Sequence, residues 1–169
     1  MRAARLCAGD PPAVVLPGMW TGLSEHHLPF GGTISLNYAE FSGVLRGIVR
    51  SLRAIGFGQL LVVNGHGGNV DALAVACREL AHEFGLPVVA TTPWYIPGLK
   101  FDEVLETESS VHHACEAETS VMMAVMPEHV RTSKLAEAVE QAPAGLRRSP
   151  VRWVTHAQQA RRKASACWI

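Results

Sequence analysis

The stretch LLVVNGHGGNV (residues 60–70) sets four aliphatic residues in a row and then surrounds a single imidazole, His66, with glycines and asparagines. A continuous apolar run of this length, closed by polar and glycine residues, predicts a buried strand over Leu60–Val63 with helices on both sheet faces. A helix is predicted to follow from about Val70 to Phe84. Leu73, Cys77, Leu80 and Phe84 share one stripe of it, Asn69 stands at its N-cap, and Gly85 ends it. Pro87-Val88-Val89-Ala90 reads as the next strand. Strand, helix, strand with short connections implies a right-handed crossover, and with it an α/β fold class and a largely parallel sheet.

Upstream, Ala13-Val14-Val15-Leu16 is another short apolar run, closed by Pro17-Gly18, and is expected to be a strand. A loop from Met19 to Ser35 then carries Ser24, Glu25, His26 and His27. Phe41, Val44, Leu45, Ile48, Val49, Leu52 and Ile55 recur at three-and-four spacing, which predicts a helix stopping at Gly56. Downstream, residues 98–111 are polar and acidic and are expected to form a loop over the site. A third helix is expected from near Ala114 to Met126-Pro127, with Ala117, Val121, Ala124 and Val125 forming its buried arc.

A chain of 169 residues, 48% hydrophobic and 18% charged, suits one packed domain. Its formal net charge is zero, so bulk electrostatics give no reason to expect a nucleic-acid partner. No apolar run approaches the roughly 18 residues that a membrane span needs. After Glu140 there is no acidic residue, while Arg147, Arg148, Arg152, Arg161, Arg162 and Lys163 follow. That shift divides the chain into an α/β domain, residues 1–146, and a basic tail, residues 147–169, expected to be disordered. Cys7, Cys77, Cys115 and Cys167 are scattered without a CxxC pair, which fits a reducing compartment and a cytoplasmic location.

In open α/β sheets ligands bind beyond the carboxyl ends of the strands, where Asn64–Asn69 falls. Glycines there let a bound group approach the backbone. A phosphate loop would require a Lys-Ser/Thr step or G-x-G-x-x-G, and neither is present. The stretch therefore favours His66 as a metal ligand, since neutral imidazole binds zinc-like ions well. Around the third helix, Glu118 flanks the apolar arc on one side and His113 lies near the other, whereas Glu116 faces solvent as a first-turn acid favoured by the helix dipole. His26 and His27 are adjacent and cannot both face one site from an extended segment, so at most one of the pair is expected to act.

These segments together resemble the creatininase family of amidohydrolases. The matching pieces are Val15-Leu16-Pro17, Gly22-x-Ser24-x-x-His27 leading to Gly32-Thr33-Ile34-Ser35, Asn64-Gly65-His66-Gly67-Gly68-Asn69, and His113-Ala114-x-x-x-Glu118-Thr119-Ser120. The resemblance runs over roughly residues 13–132. It implies a three-layer α/β/α fold, a homohexamer, and a site with two divalent ions (zinc or manganese, with iron a further option) that hydrolyses a C–N bond of a small-molecule amide. By position it implies that His66 and Glu118 bind metal and that His113 and Glu118 are catalytic. Ser24, His27 and Asn69 would lie on the substrate side, with Trp94 walling the pocket. A metal-activated water would attack the carbonyl carbon, and His113 or a nearby carboxylate would protonate the leaving nitrogen.

The family pattern also includes a Glu-x-His-Gly motif and an aspartate ahead of the Val-Leu-Pro segment, and Met1–Pro12 contain no match. The sequence thus offers two ligands where a catalytic zinc usually keeps three. The Gly-rich segment expected further on is also replaced by the basic tail. These departures imply a truncated chain with weak metal binding and little activity. The alternative is a degenerate member acting as an oligomerising or binding module. A thiol hydrolase built on Cys115 and His113, and a tail that touches RNA, are further rivals.

Overall fold

The computed structural model describes residues 13–96, 101–108 and 111–138. Helix α1 (Tyr38–Ala54) begins at a capping box. The Glu40 N–H donates to Asn37 Oδ1 at 3.0 Å, and the Asn37 N–H donates to Glu40 Oε2 at 2.8 Å. Each carries an otherwise orphaned helix-terminal donor. The helix stops where expected, before Gly56 at φ 93°. Strand β1 (Leu60–Val63), helix α2 (Val70–Phe84) and strand β2 (Val88–Thr91) follow. Gly85 takes the left-handed conformation that ends α2, its N–H donating to Ala81 O. Short helices α3 (Phe101–Val104) and α5 (Leu135–Ala138) flank α4 (Glu116–Val125).

The two strands pair in parallel, from Leu60 opposite Val88 to Val63 opposite Thr91, with α2 as the crossover. This confirms the α/β class with a parallel sheet. Side chains alternate across a strand, so Leu60, Val62, Val88 and Ala90 face one way. There they meet Phe41, Leu45 and Val49 of α1 and Leu73, Ala76, Cys77 and Leu80 of α2. Leu61, Val63 and Val89 point to the other face and are 60%, 65% and 54% exposed. The expectation of β1 covered on both faces therefore fails among the described residues: helices pack on one side of the sheet.

Two further expectations are corrected. Residues 13–16 are not a strand; Val14, Val15 and Leu16 are exposed. The parallel bridge that does form joins Gly22 to Ser35, fastened by the Leu36 N–H donating to Gly22 O at 2.8 Å. On α4, Ala117 is buried as expected, but Val121 and Val125 are exposed, so the predicted arc has no covering layer among the described residues. The acidic segment 98–111 contains helix α3. The proposed basic tail, residues 147–169, lies outside the described residues. No helix among the described residues is long and apolar enough to cross a membrane.

The one-sided core makes a direct prediction. Leu73→Ala or Leu80→Ala should lower unfolding free energy by about 2–5 kcal/mol in urea titrations, because each leaves a cavity between α2 and its neighbours. Leu61→Ala, on the exposed face of the same sheet, should stay within about 0.5 kcal/mol of the parent.

Candidate functional site

The site is built where β1 ends. Asn64 is 4% exposed and uses its whole amide. Its Nδ2 donates to His66 O at 2.8 Å and Thr92 Oγ1 at 3.0 Å. Its Oδ1 accepts from the His66 N–H and from Asn69 Nδ2, both at 3.2 Å. A buried amide satisfied on both ends fixes the turn that follows. Asn69 extends the clamp, its Oδ1 accepting from the Leu23 N–H at 2.9 Å. It is therefore not a side-chain N-cap as expected: residues 67–69 already form a 3-10 turn, Asn69 has helical φ and ψ, and its amide turns back toward the Leu23 loop.

Glycine matters here for close approach. A Cβ on Gly68 would lie 2.6 Å from His66 Nε2 and 2.6 Å from Leu23 O. A Cβ on Gly22 would lie 2.7 Å from Asn69 Oδ1. The motif thus folds its imidazole over its own backbone, with the Leu23–Ser24 segment pressed alongside.

Residues Glu25–Phe30 form a 3-10 helix. Successive side chains there diverge by about 120°, not by the opposition of an extended strand. Both His26 and His27 reach His66, and the expectation that only one could do so is overturned. The His26 and His27 ring centroids are 4.1 Å apart. His26 stacks on His66 at 5.3 Å, with ring planes 9° apart. His113 completes the group, 5.2 Å from His26, 4.6 Å from His27 and 5.2 Å from His66. Sequence reasoning passed over His26. The available signal was Pro29 followed by Gly31-Gly32, residues that interrupt an extended run and favour a turn.

One nitrogen from each of His26, His27 and His66 lies within 4.8 Å of the others. Burial pushes the His66 pKa below the usual imidazole value. Burial, with the neighbouring His26 and His66, lowers that of His27 to about 4. Both rings are neutral at neutral pH and keep a lone pair for a cation. His66 Nε2 lies 3.2 Å from Leu23 O and 3.3 Å from Ser24 Oγ. A carbonyl only accepts, so a proton on Nε2 satisfies it and leaves Nδ1 as the unprotonated nitrogen with its lone pair. Metal-binding imidazoles are commonly oriented in this way by a backbone carbonyl. The donor set fits a zinc-class ion.

The other candidates fall around this cluster. Ser24 is in it, with its N–H donating to Ser35 Oγ at 2.9 Å. Trp94 sits half-buried in the 3-10 turn Pro93–Tyr95, just past the Thr92 hydroxyl that meets Asn64. The Glu118 carboxylate accepts the Ala114 N–H at 2.7 Å and is not among the clustered donors in the described residues. Ala114 has φ 50°, so this bond steadies a strained residue next to His113. Cys115, the rival nucleophile, is buried. Glu116 is no solvated bystander: its carboxylate accepts the backbone N–H groups of Glu106, Thr107 and Glu108 and the Thr107 hydroxyl, at 2.7 to 3.2 Å. Those bonds, led by the Glu106 N–H, hold its pKa at about 2.

The chain matches the creatininase family model, described as creatinine amidohydrolase, over residues 1–166. It is 32% identical over 126 residues to the mycofactocin precursor peptide peptidase of Mycolicibacterium smegmatis, covering 75% of this chain and 45% of that protein. The corresponding protein of Mycobacterium ulcerans is 33% identical over 132 residues, with 78% and 47% covered. The creatinine amidohydrolase of Pseudomonas putida is 29% identical over 143 residues, with 74% and 54% covered. The chain thus spans about half the length of the curated relatives it matches.

Two outcomes are expected. Gly68→Ala should displace the His66 ring, seen as altered histidine shifts in NMR spectra, while Gly67→Ala, which meets nothing within 4 Å, should not. The Glu116 latch should be fully stabilising above pH 4.5 and weaken as pH falls toward about 2, because a depressed carboxylate pKa favours the folded form only while ionised. Hydrogen exchange at the amides of residues 106–108 should rise through that window, and Glu116→Gln should raise it already at neutral pH.

Proposed function

The chain belongs to the creatininase family, and on that premise we propose that it is a metal-dependent hydrolase of an amide C–N bond. The carrying observation is the convergence of His26, His27 and His66 nitrogens beside the Ser24 hydroxyl at the carboxyl end of β1. Creatinine amidohydrolase and peptide peptidase, the names borne by its relatives, both denote cleavage of such a bond. A zinc or manganese ion bound here would supply Lewis acidity and an activated water.

The chain's own residues have separable tasks in this reading. His66 offers its lone pair to the ion from a ring held in place by Leu23 O and by the bare backbone at Gly68. Ser24 presents a hydroxyl to the substrate from a backbone tied to Ser35. His113, the most exposed of the clustered rings, stands at the entrance and passes a proton to the leaving nitrogen. Glu118 positions it through the Ala114 N–H. Asn69 keeps the Leu23–Ser24 segment in register, and Trp94 borders the opening. The family's three-layer architecture fits the exposed Leu61, Val63 and Val89, which a second helical layer would cover.

The test is ring opening of creatinine, read as formation of the acyclic carboxylate product, and release of p-nitroaniline from a panel of peptide p-nitroanilides. Activity should vanish with a chelator and return with zinc or manganese. His66→Ala should reduce it to background, and His113→Ala should lower kcat by about a hundredfold or more. Turnover indifferent to chelation would overturn the reading.

A further inference from the structure

We propose that Glu108 and Glu116 are positioning residues for His113: a reciprocal carboxylate–amide clasp between residues 106–108 and the start of α4 sets where the His113 ring stands at the histidine cluster. This rests on reading His113 as the donor of a proton to the leaving nitrogen, and it gives a task to two acids which that reading leaves unused.

The clasp runs in both directions. Glu116 opens α4, so its N–H is one of the orphan donors of a helix start, and Glu108 Oε2 accepts it at 2.6 Å. The Glu116 carboxylate in turn accepts the Glu106 N–H at 2.7 Å on Oε1. Its Oε2 accepts the Thr107 N–H and hydroxyl, both at 2.9 Å, and the Glu108 N–H at 3.2 Å. This is the reciprocity of a capping box, exchanged between residues 108 and 116 rather than within one turn. Val104, Glu106 and Thr107 are exposed, so the bonds to Glu116, rather than apolar burial at those positions, fasten the segment. Bonds to an ionised acceptor are roughly twice as strong as neutral ones. With its pKa held at about 2, Glu116 is ionised at neutral pH and the clasp is a standing brace.

His113 lies between this clasp and the Glu118 bond. It immediately precedes Ala114, whose N–H donates to Glu118 at 2.7 Å and whose φ is 50°. Cys115 and Ala117, on either side of Glu116, are buried, so the clasp is anchored to packed backbone. It draws the stretch before His113 back to the helix that follows it, and the ring stands 4.6 Å from His27 and 5.2 Å from His26 and His66. His113 is itself exposed. A general acid must be held within hydrogen-bond reach of the atom it protonates. Misplacement by about 1 Å costs up to about a hundredfold in rate. The two glutamates act through the place of the ring and touch no reacting atom.

The experiment uses the metal-loaded whole chain. Glu108→Gln and Glu116→Gln keep the shape of each side chain and remove its charge. Each should lower kcat on a peptide anilide at least about tenfold, with KM within about threefold. The loss should be smaller on the matching p-nitroanilide, whose weakly basic leaving nitrogen depends less on an acid. In a His113→Ala background neither substitution should lower kcat by more than about twofold further, because the ring they place is gone. The His113 ring resonances, identified by their disappearance in His113→Ala, should move in both variants. Thermal melts show which variants fold. Should one fail, Thr107→Val, which removes a single hydroxyl from the clasp, should repeat the pattern with a loss of kcat of about twofold to fivefold. Unchanged kcat in folded variants, equal losses with and without His113, or an unmoved ring would overturn the proposal. A parent chain without chelator-sensitive turnover removes the hydrolase reading instead. The ring resonances then decide the clasp: moved in both variants it stands, unmoved it falls.

Discussion

A side chain at residue 68 would have to displace its neighbours, and the arrangement of the site follows from that constraint. The space a Cβ would take is shared by His66 Nε2 and Leu23 O, each 2.6 Å from its position. The imidazole therefore lies folded over its own loop, and the Leu23–Ser24 backbone runs close enough to bond it. Gly22 repeats the constraint one step away, where Asn69 reaches across to the Leu23 N–H. With both glycines in place, a segment more than forty residues upstream is laid against the end of β1. The 3-10 turn that begins after Ser24 then delivers two more rings.

The polar groups around the cluster divide by charge. The imidazoles of His27 and His66 are half-buried and kept neutral, which is the state a cation requires. Carboxylates face backbone N–H groups instead. Glu116 gathers three consecutive amides and Glu118 takes the one beside His113. Charge-assisted bonds of this kind hold irregular backbone without regular secondary structure. The result is an imidazole-lined floor from one end of the chain and a carboxylate-stiffened loop from the other.

The helices meet the sheet on one face only among the described residues, and the other face keeps Leu61, Val63 and Val89 in the open. The same is true of Val121 and Val125 on α4. The chain covers 45% to 54% of the lengths of relatives that share its family. The site's histidines nonetheless sit on the packed part of the structure, where β1, α2 and the 3-10 turn converge.

Local signals were enough for much of this. Apolar period and glycine stops marked α1, β1, α2 and β2 because each of those elements buries a continuous stripe whose spacing is written in the chain. The paired motifs around His66 and His113 marked the family, since close backbone approach demands glycine at fixed positions. What the sequence could not determine was anything that depends on where a second segment lies. Val14–Leu16 and Val121–Val125 are apolar enough to be buried, yet burial depends on a neighbour rather than on composition. Asn69 looked like a helix cap until the Leu23 loop competed for its amide. Glu116 looked solvent-facing until residues 106–108 folded back onto it. The joint approach of His26 and His27 to His66 required the 3-10 twist of their segment and its docking against the glycine-bare turn, both of which are tertiary facts.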